Sequence, residues 1–316
     1  MNLKFLLPAI LILFGAIGLK AQEAQLENYA ASILQQELRQ HVEILASDSL
    51  QGRETATPGG WMAGDYIASC FEEYQLKPAF GSSYFQYIDL FSDARNVVGI
   101  IEGTDTKQEA VVIGAHYDHH GTYYYAVYNG ADDNASGVAA LLSIAKAMTA
   151  MAREHYRPKR TIIFIAYDAK ELNMKGSEFY VNNPIVPLNK TVACLNMDML
   201  GRTDAPPAND SNYVLVVGAN KHKSNLRVST DYLNRAKGIN LDIDYTFYGS
   251  AAFSDMFYRI SDQYNFGKHK IPVMYFTSGM HDDLWKPGDK HDRLSYPVLQ
   301  KRTQLIFYLL WRTANE

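Results

Sequence analysis

The chain has 316 residues, 47% of them hydrophobic and 20% charged, with 30 Lys plus Arg against 34 Asp plus Glu. That composition supplies a sizeable core and argues against a disordered or fibrous chain. A formal charge of -4 argues against a protein that holds polyanions by counterion release, so no nucleic-acid partner is expected.

The chain begins Met-Asn-Leu-Lys, continues with an apolar run from Phe5 to Leu19, and then reads Lys20-Ala21-Gln22. This order predicts a secretory signal over residues 1–21 and an exported protein, periplasmic or extracellular. The run contains Pro8 and is shorter than the ~20 residues needed to cross a bilayer. No later stretch reads as long enough, so no membrane span is expected once the signal is removed. Residues 22–316 read as one domain, whose segment 22–95 forms an N-terminal helical cap. There Leu26–Ala46 and Trp61–Tyr74 have amphipathic spacing, separated by a polar, Gly-containing stretch.

From about Asn96 the pattern changes to short apolar runs rich in β-branched residues: 97–101, 111–115, 162–166, 192–197, 214–217 and 271–276. Such runs predict buried strands. Helical spacing lies between or after them at 135–151, 225–236 and 296–311, so strands and helices alternate as in an α/β sheet. Residues 205–212, with two prolines, read as a surface loop. Cys70 and Cys194 are expected to be two buried free thiols rather than a disulfide.

In an open α/β sheet, ligands bind beyond the carboxyl ends of the strands. Here one strand ends in His116-Tyr117-Asp118, another runs into Lys170-Glu171, a third ends in Asp198, and a Gly-rich turn holds Asp132-Asp133-Asn134 at a helix start. One imidazole and several carboxylates suit zinc or a similar divalent ion. Asp118 would accept the other imidazole N–H of His116 and fix its tautomer. The bland alternative is a solvated polar loop at each strand end. Four such groups in register with the strand pattern favour the metal site over that alternative.

The strings GAHYDHHG, NGADDNASGVAALL, GSEFY after Lys170-Glu171, CLNMDMLGR and IPVMYFTSGMHDDLWKPGD, together with the earlier DSLQGRETATPGG, resemble the zinc aminopeptidases of metallopeptidase family twenty-eight. That group includes bacterial leucyl aminopeptidases and glutaminyl cyclases. The resemblance implies a three-layer α/β sandwich with a mixed, mostly parallel central sheet flanked by helices, and two zinc ions bridged by one carboxylate. Carried over by position, His116 and Asp198 would bind one metal, Asp133 would bridge, Glu171 would bind the second, and Asp118 would orient His116. Asp132 is expected to face solvent or to serve the helix start.

The sequence departs from that pattern at three places. Lys170 occupies the position of the family's general base, and a protonated amine cannot accept a proton. Loss of a positioned base costs roughly 10²- to 10⁴-fold in rate. Trp285 stands four residues before Asp289, where the family has a zinc-binding His, and indole offers no lone pair. Leu284 stands where several members have a Tyr. One zinc site is therefore expected, with Asp133 and Glu171 left at the second and Lys170 compensating as a replacement cation. His281 is a possible substitute ligand, with His119, His120 and His291 elsewhere in the same loops; Asp168 is a weaker substitute base.

Two functions follow: an exported zinc exopeptidase with a degenerate site, or an impaired or inactive one-metal pseudo-peptidase that binds a peptide or glycan-like ligand in the old cleft. Cyclase-like chemistry is the weaker third, because its single-zinc arrangement uses the residue lost at Trp285. The run Tyr123-Tyr124-Tyr125 would either help wall a ligand pocket or pack on itself.

Overall fold

The computed structural model describes residues 23–89, 93–105, 107–204 and 211–316. The signal read at 1–21 and most of the loop read at 205–212 lie outside the described residues. Within them, nine strands form one sheet. Its centre is four parallel strands in the order β7 (Thr161–Tyr167), β4 (Ala110–His116), β8 (Thr191–Met197) and β11 (Val273–Thr277). Antiparallel pairing begins on both sides, with β3 (Arg95–Ile101) on β7 and β9 (Tyr213–Val217) on β11. The short β10 (Asp242–Asp244) closes one edge. At the other edge β1 (Lys77–Pro78) and β2 (Phe85–Tyr87) pair with β3. This is the mixed, mostly parallel sheet expected.

The strands read as unbroken apolar runs because both faces are covered. Every residue of β4 is buried. Alternate residues enter opposite layers, Val111 and Ile113 one core cluster and Val112 the other. The first layer contains α1 (Gln35–Leu45), α2 (Pro58–Tyr74), α3 (Gly137–Arg153) and α8 (Tyr296–Asn315). The second contains residues of α4 (Lys175–Asn182), α6 (Ala251–Tyr258) and α7 (Gln263–Lys268). Helix α5 (Leu226–Ala236) packs beside α8.

Three details differ from the expectation. The helix expected over 26–46 is two: Ser32 Oγ donates to Tyr29 O at 2.7 Å, and Leu34 is extended before α1 begins. A side chain returning its bond to the backbone offers the chain an exit from the helix. Residues 22–95 are more than a helical cap, because β1 and β2 extend the sheet. Finally, among the described residues one stretch, Ala131–Arg153, is long and apolar enough to cross a membrane; 83% of its apolar window is buried inside the fold, as in the core helix of a sandwich. Cys70 and Cys194 are buried free thiols, as expected.

Candidate metal centre

His116 ends β4 and Asp198 directly follows β8, its parallel neighbour, so sheet register alone sets them side by side. His116 Nε2 lies 3.2 Å from Asp198 Oδ1 and 3.3 Å from Asp133 Oδ1. All three residues are buried. Asp133 arrives on an irregular turn after Gly130, whose φ of +54° suits glycine and where a Cβ would meet Asp133 O at 2.1 Å. Asn134 locks this turn to both strands: its Nδ2 donates to Met197 O at 2.9 Å and to His116 O at 3.2 Å, and its Oδ1 accepts from Met199 N at 2.9 Å.

The supports differ in part from those expected. His116 Nδ1 lies 3.1 Å from the backbone oxygen of Asp118, whereas the Asp118 carboxylate is 3.6 Å away. That carboxylate instead accepts the backbone N–H groups of Lys170 at 3.0 Å and Glu171 at 2.9 Å, so Asp118 orients the imidazole through its carbonyl and the third strand end through its side chain. Asp289, in the loop after β11, accepts from the backbone N–H groups of Asp132 and Asp133 at 3.0 Å. Ser261 Oγ donates to Asp198 Oδ2 at 2.6 Å.

A fully buried Arg53, which sequence reasoning missed, ties together the loops that carry the site. Its Nε donates to Tyr117 O at 2.8 Å, Nη1 to Leu45 O and Asn129 O at 2.5 Å each, and Nη2 to Gly130 O at 2.9 Å. Burial lowers its pKa to about 10, still charged at neutral pH. Its own carbonyl accepts His119 N at 3.1 Å, and Gly52 O accepts Gly121 N at 3.1 Å. The backbones approach so closely that a Cβ on Gly52 would meet Gly121 O at 2.2 Å. The segment DSLQGRETATPGG was the only signal for this clamp.

Lys170 Nζ lies 2.8 Å from Glu171 Oε1 and 3.8 Å from Asp133 Oδ1. Burial opposes its charge, but Asp133, Asp198 and Glu171 outweigh burial and hold its pKa well above that of an ordinary lysine. Its side chain is therefore held as an ammonium beside these carboxylates. Burial and Lys170 oppose charge on His116, yet Asp198, Asp118 and Asp133 raise its pKa well above the usual value. Asp133 would be raised by burial, but Lys170, His116 and His119 pull it well below the carboxylate range. Burial leads in raising Glu171, against the pull of Lys170.

Other residues singled out by sequence fall elsewhere. His281 Nε2 faces Asp132 Oδ2 at 3.4 Å and joins neither His-carboxylate cluster. Asp132 is buried rather than solvent-facing, accepting from Gly201 N at 2.5 Å and Ser278 Oγ at 2.9 Å, because it ties the turn to two neighbouring loops. Asp168 spends its oxygens on Arg95 N, Tyr117 Oη, Ala169 N and Thr55 Oγ1. His291 lies 3.6 Å from Glu43. Trp285 is 57% exposed and meets the ring of His120 edge-on, with centroids 6.4 Å apart. Tyr123, Tyr124 and Tyr125 lie in a two-stranded hairpin of β5 (Thr122–Tyr123) and β6 (Ala126–Val127) and stand in solvent, Tyr125 fully; the rings of Tyr123 and Tyr124 meet edge-on with centroids 4.4 Å apart, so the run packs in part on itself.

The donor set fits a metal ion. Among the described residues, neither oxygen of the buried Asp133 carboxylate accepts a well-aligned hydrogen bond. Orphaned buried oxygens beside an imidazole nitrogen and a second carboxylate are costly unless a cation meets them, and nitrogen plus anionic oxygen suits zinc.

The sequence profile of Peptidase family M28 matches residues 96–310. A glutamate carboxypeptidase 2 homolog of Caenorhabditis briggsae is 34% identical over 134 residues, which are 40% of this chain and 16% of that protein. The chain thus spans a small part of the length of that relative. The LapA aminopeptidase of Legionella pneumophila superposes with a TM-score of 0.74 at 21% identity, over 93% of this chain and 75% of that one. A Zn-dependent exopeptidase from Parabacteroides distasonis ATCC 8503 superposes with a TM-score of 0.66 at 19% identity, over 88% of this chain and 98% of that one. Both structures share its fold.

Proposed function

The chain belongs to peptidase family M28, and from that premise we propose that it is an exported zinc exopeptidase of aminopeptidase type whose hydrolysis is slow. The observation that carries this reading is the buried convergence of His116, Asp133 and Asp198 beside an ammonium, Lys170, in the place of the base. Zinc at the three ligands would polarise a peptide carbonyl and acidify water. Asp118, Asn134, Asp289 and Arg53 hold the ligand-bearing loops. Lys170 donates rather than accepts, so it can hydrogen-bond a substrate oxygen and neutralise Glu171, but it leaves proton removal without a positioned carboxylate.

Release of N-terminal residues from aminoacyl p-nitroanilides by the purified protein tests the proposal. The expected outcome is zinc-dependent hydrolysis, roughly 10²- to 10⁴-fold below that of a relative with a carboxylate base, abolished by Asp133→Ala. Complete inactivity overturns it. The ammonium at position 170 favours a second reading, a non-catalytic one-metal protein that holds a peptide or glycan-like ligand in the cleft; saturable peptide binding without any turnover would select it.

A further inference from the structure

The family's second metal position lacks its histidine here, yet a different set of donors meets one loop away. His119, His120 and Glu171 each present a ligand atom, and these atoms lie within 4.8 Å of one another. Glu171 divides its carboxylate: Oε1 faces Lys170, while Oε2 stands 3.6 Å from His120 Nε2. Among the described residues, neither ring nitrogen of His119 has a hydrogen-bond partner, although its side chain is wholly buried. A buried imidazole with two idle nitrogens is costly unless something takes a lone pair.

We propose that His119, His120 and Glu171 form a second zinc site, displaced outward from the family position and replacing the ligand lost at Trp285. The set of two imidazoles and one carboxylate is a zinc set that leaves a fourth position open. Tetrahedral ligands at zinc distances lie about 3.4 Å apart, so the three groups, whose ligand atoms lie within 4.8 Å of one another, need to close by up to about 1.4 Å. The backbone bonds from His119 N to Arg53 O and Gly121 N to Gly52 O hold the loop in place. Trp285 and Tyr128 stand edge-on to the His120 ring, each with centroids 6.4 Å away, and confine it. His120 and Glu171 remain partly solvent-accessible, which gives zinc a way in. The tryptophan that removed one ligand thus buttresses its replacement. Lys170, on the other oxygen of Glu171, makes this the weaker of the two sites.

This inference rests on the zinc reading above but not on turnover, and equilibrium metal binding tests it. The full chain, stripped with chelator, is titrated with zinc chloride by calorimetry and, separately, with cobalt(II) followed by its visible absorption. Two equivalents are expected, the second weaker. His120→Ala removes the second equivalent and leaves the first, Asp198→Ala weakens the first, Trp285→Ala keeps both, and Lys170→Met tightens the second by about tenfold or more. His120 is partly exposed, so its replacement leaves the fold intact; cobalt absorption of the unaltered protein gives a readout that needs no variant. A single equivalent in the unaltered chain, or two equivalents unchanged by both His119→Ala and His120→Ala, overturns the site. Two equivalents without hydrolysis keep this site and remove the exopeptidase reading; hydrolysis with one equivalent does the reverse.

Discussion

Replacing Lys170 with Met keeps an unbranched apolar stem, one atom shorter, and deletes the charge. The ammonium lies 2.8 Å from Glu171 and 3.8 Å from Asp133, both largely buried. At an effective dielectric of about 20, those separations correspond to gross attractions of about 6 and about 4 kcal/mol. Burial of the ammonium offsets part of this, and removing one partner of a buried pair costs about 3–5 kcal/mol net, because the remaining carboxylates lose their cation. Urea unfolding of the chelator-treated protein, followed by tryptophan fluorescence, should therefore show Lys170→Met less stable by about 3–5 kcal/mol. Saturating zinc should shrink that loss, since a dication then answers the same carboxylates. A loss below about 1 kcal/mol without metal, which is no more than an exposed pair is worth, or an equal loss with and without zinc, would refute the replacement-cation argument.

Three more outcomes follow from the same geometry. Zinc at 100 times its Kd should raise unfolding stability by about 2.7 kcal/mol, and Asp198→Ala should erase most of that rise in a thermal-shift titration. Arg53→Ala should cost about 4 kcal/mol, because four buried carbonyls lose a charged donor, and should weaken zinc binding through the loosened 119–130 loop; unchanged affinity would show that the clamp is not transmitted. Burial raises Asp262 to about 7 from 3.8, and its oxygens lack partners among the described residues. The folded state then holds a proton the open chain has released, so this group lowers stability as pH rises from about 4 to 7, by about 4 kcal/mol in full above 7. Asp262→Asn should accordingly gain on the parent protein between pH 4 and pH 8 in urea titrations; a pH-independent difference would contradict the assignment.

All six apolar runs read as strands occur as strands, since a fully buried parallel strand writes its environment into consecutive residues such as Val111–Ala115. Helices α4, α6 and α7 were not legible. Each has eight residues or fewer, too few turns for a period to emerge. His116, Asp133, Glu171 and Asp198 could be singled out because strand ends and motif spacing point to them. The position of His281 could not, because a loop decides whether a side chain swings towards the centre or towards Asp132, and periodicity is silent about loops. The solvent-facing alternative for Asp132 fails for a related reason, since its partners Gly201 N and Ser278 Oγ come from distant loops that a local pattern does not reveal, while its other expected place, at the helix start, is the one it takes.

Arg53 lies outside residues 96–310, the stretch that the family profile matches. Its partners are all main-chain oxygens, which every amino acid supplies, so no pairing of side-chain types records its task. The family profile therefore marks the ligands and stops short of the part that sets their spacing. A chain trimmed to the matching stretch would keep every proposed zinc ligand and lose both the clamp and helices α1 and α2. The stretch that the profile matches is smaller than the unit that must fold.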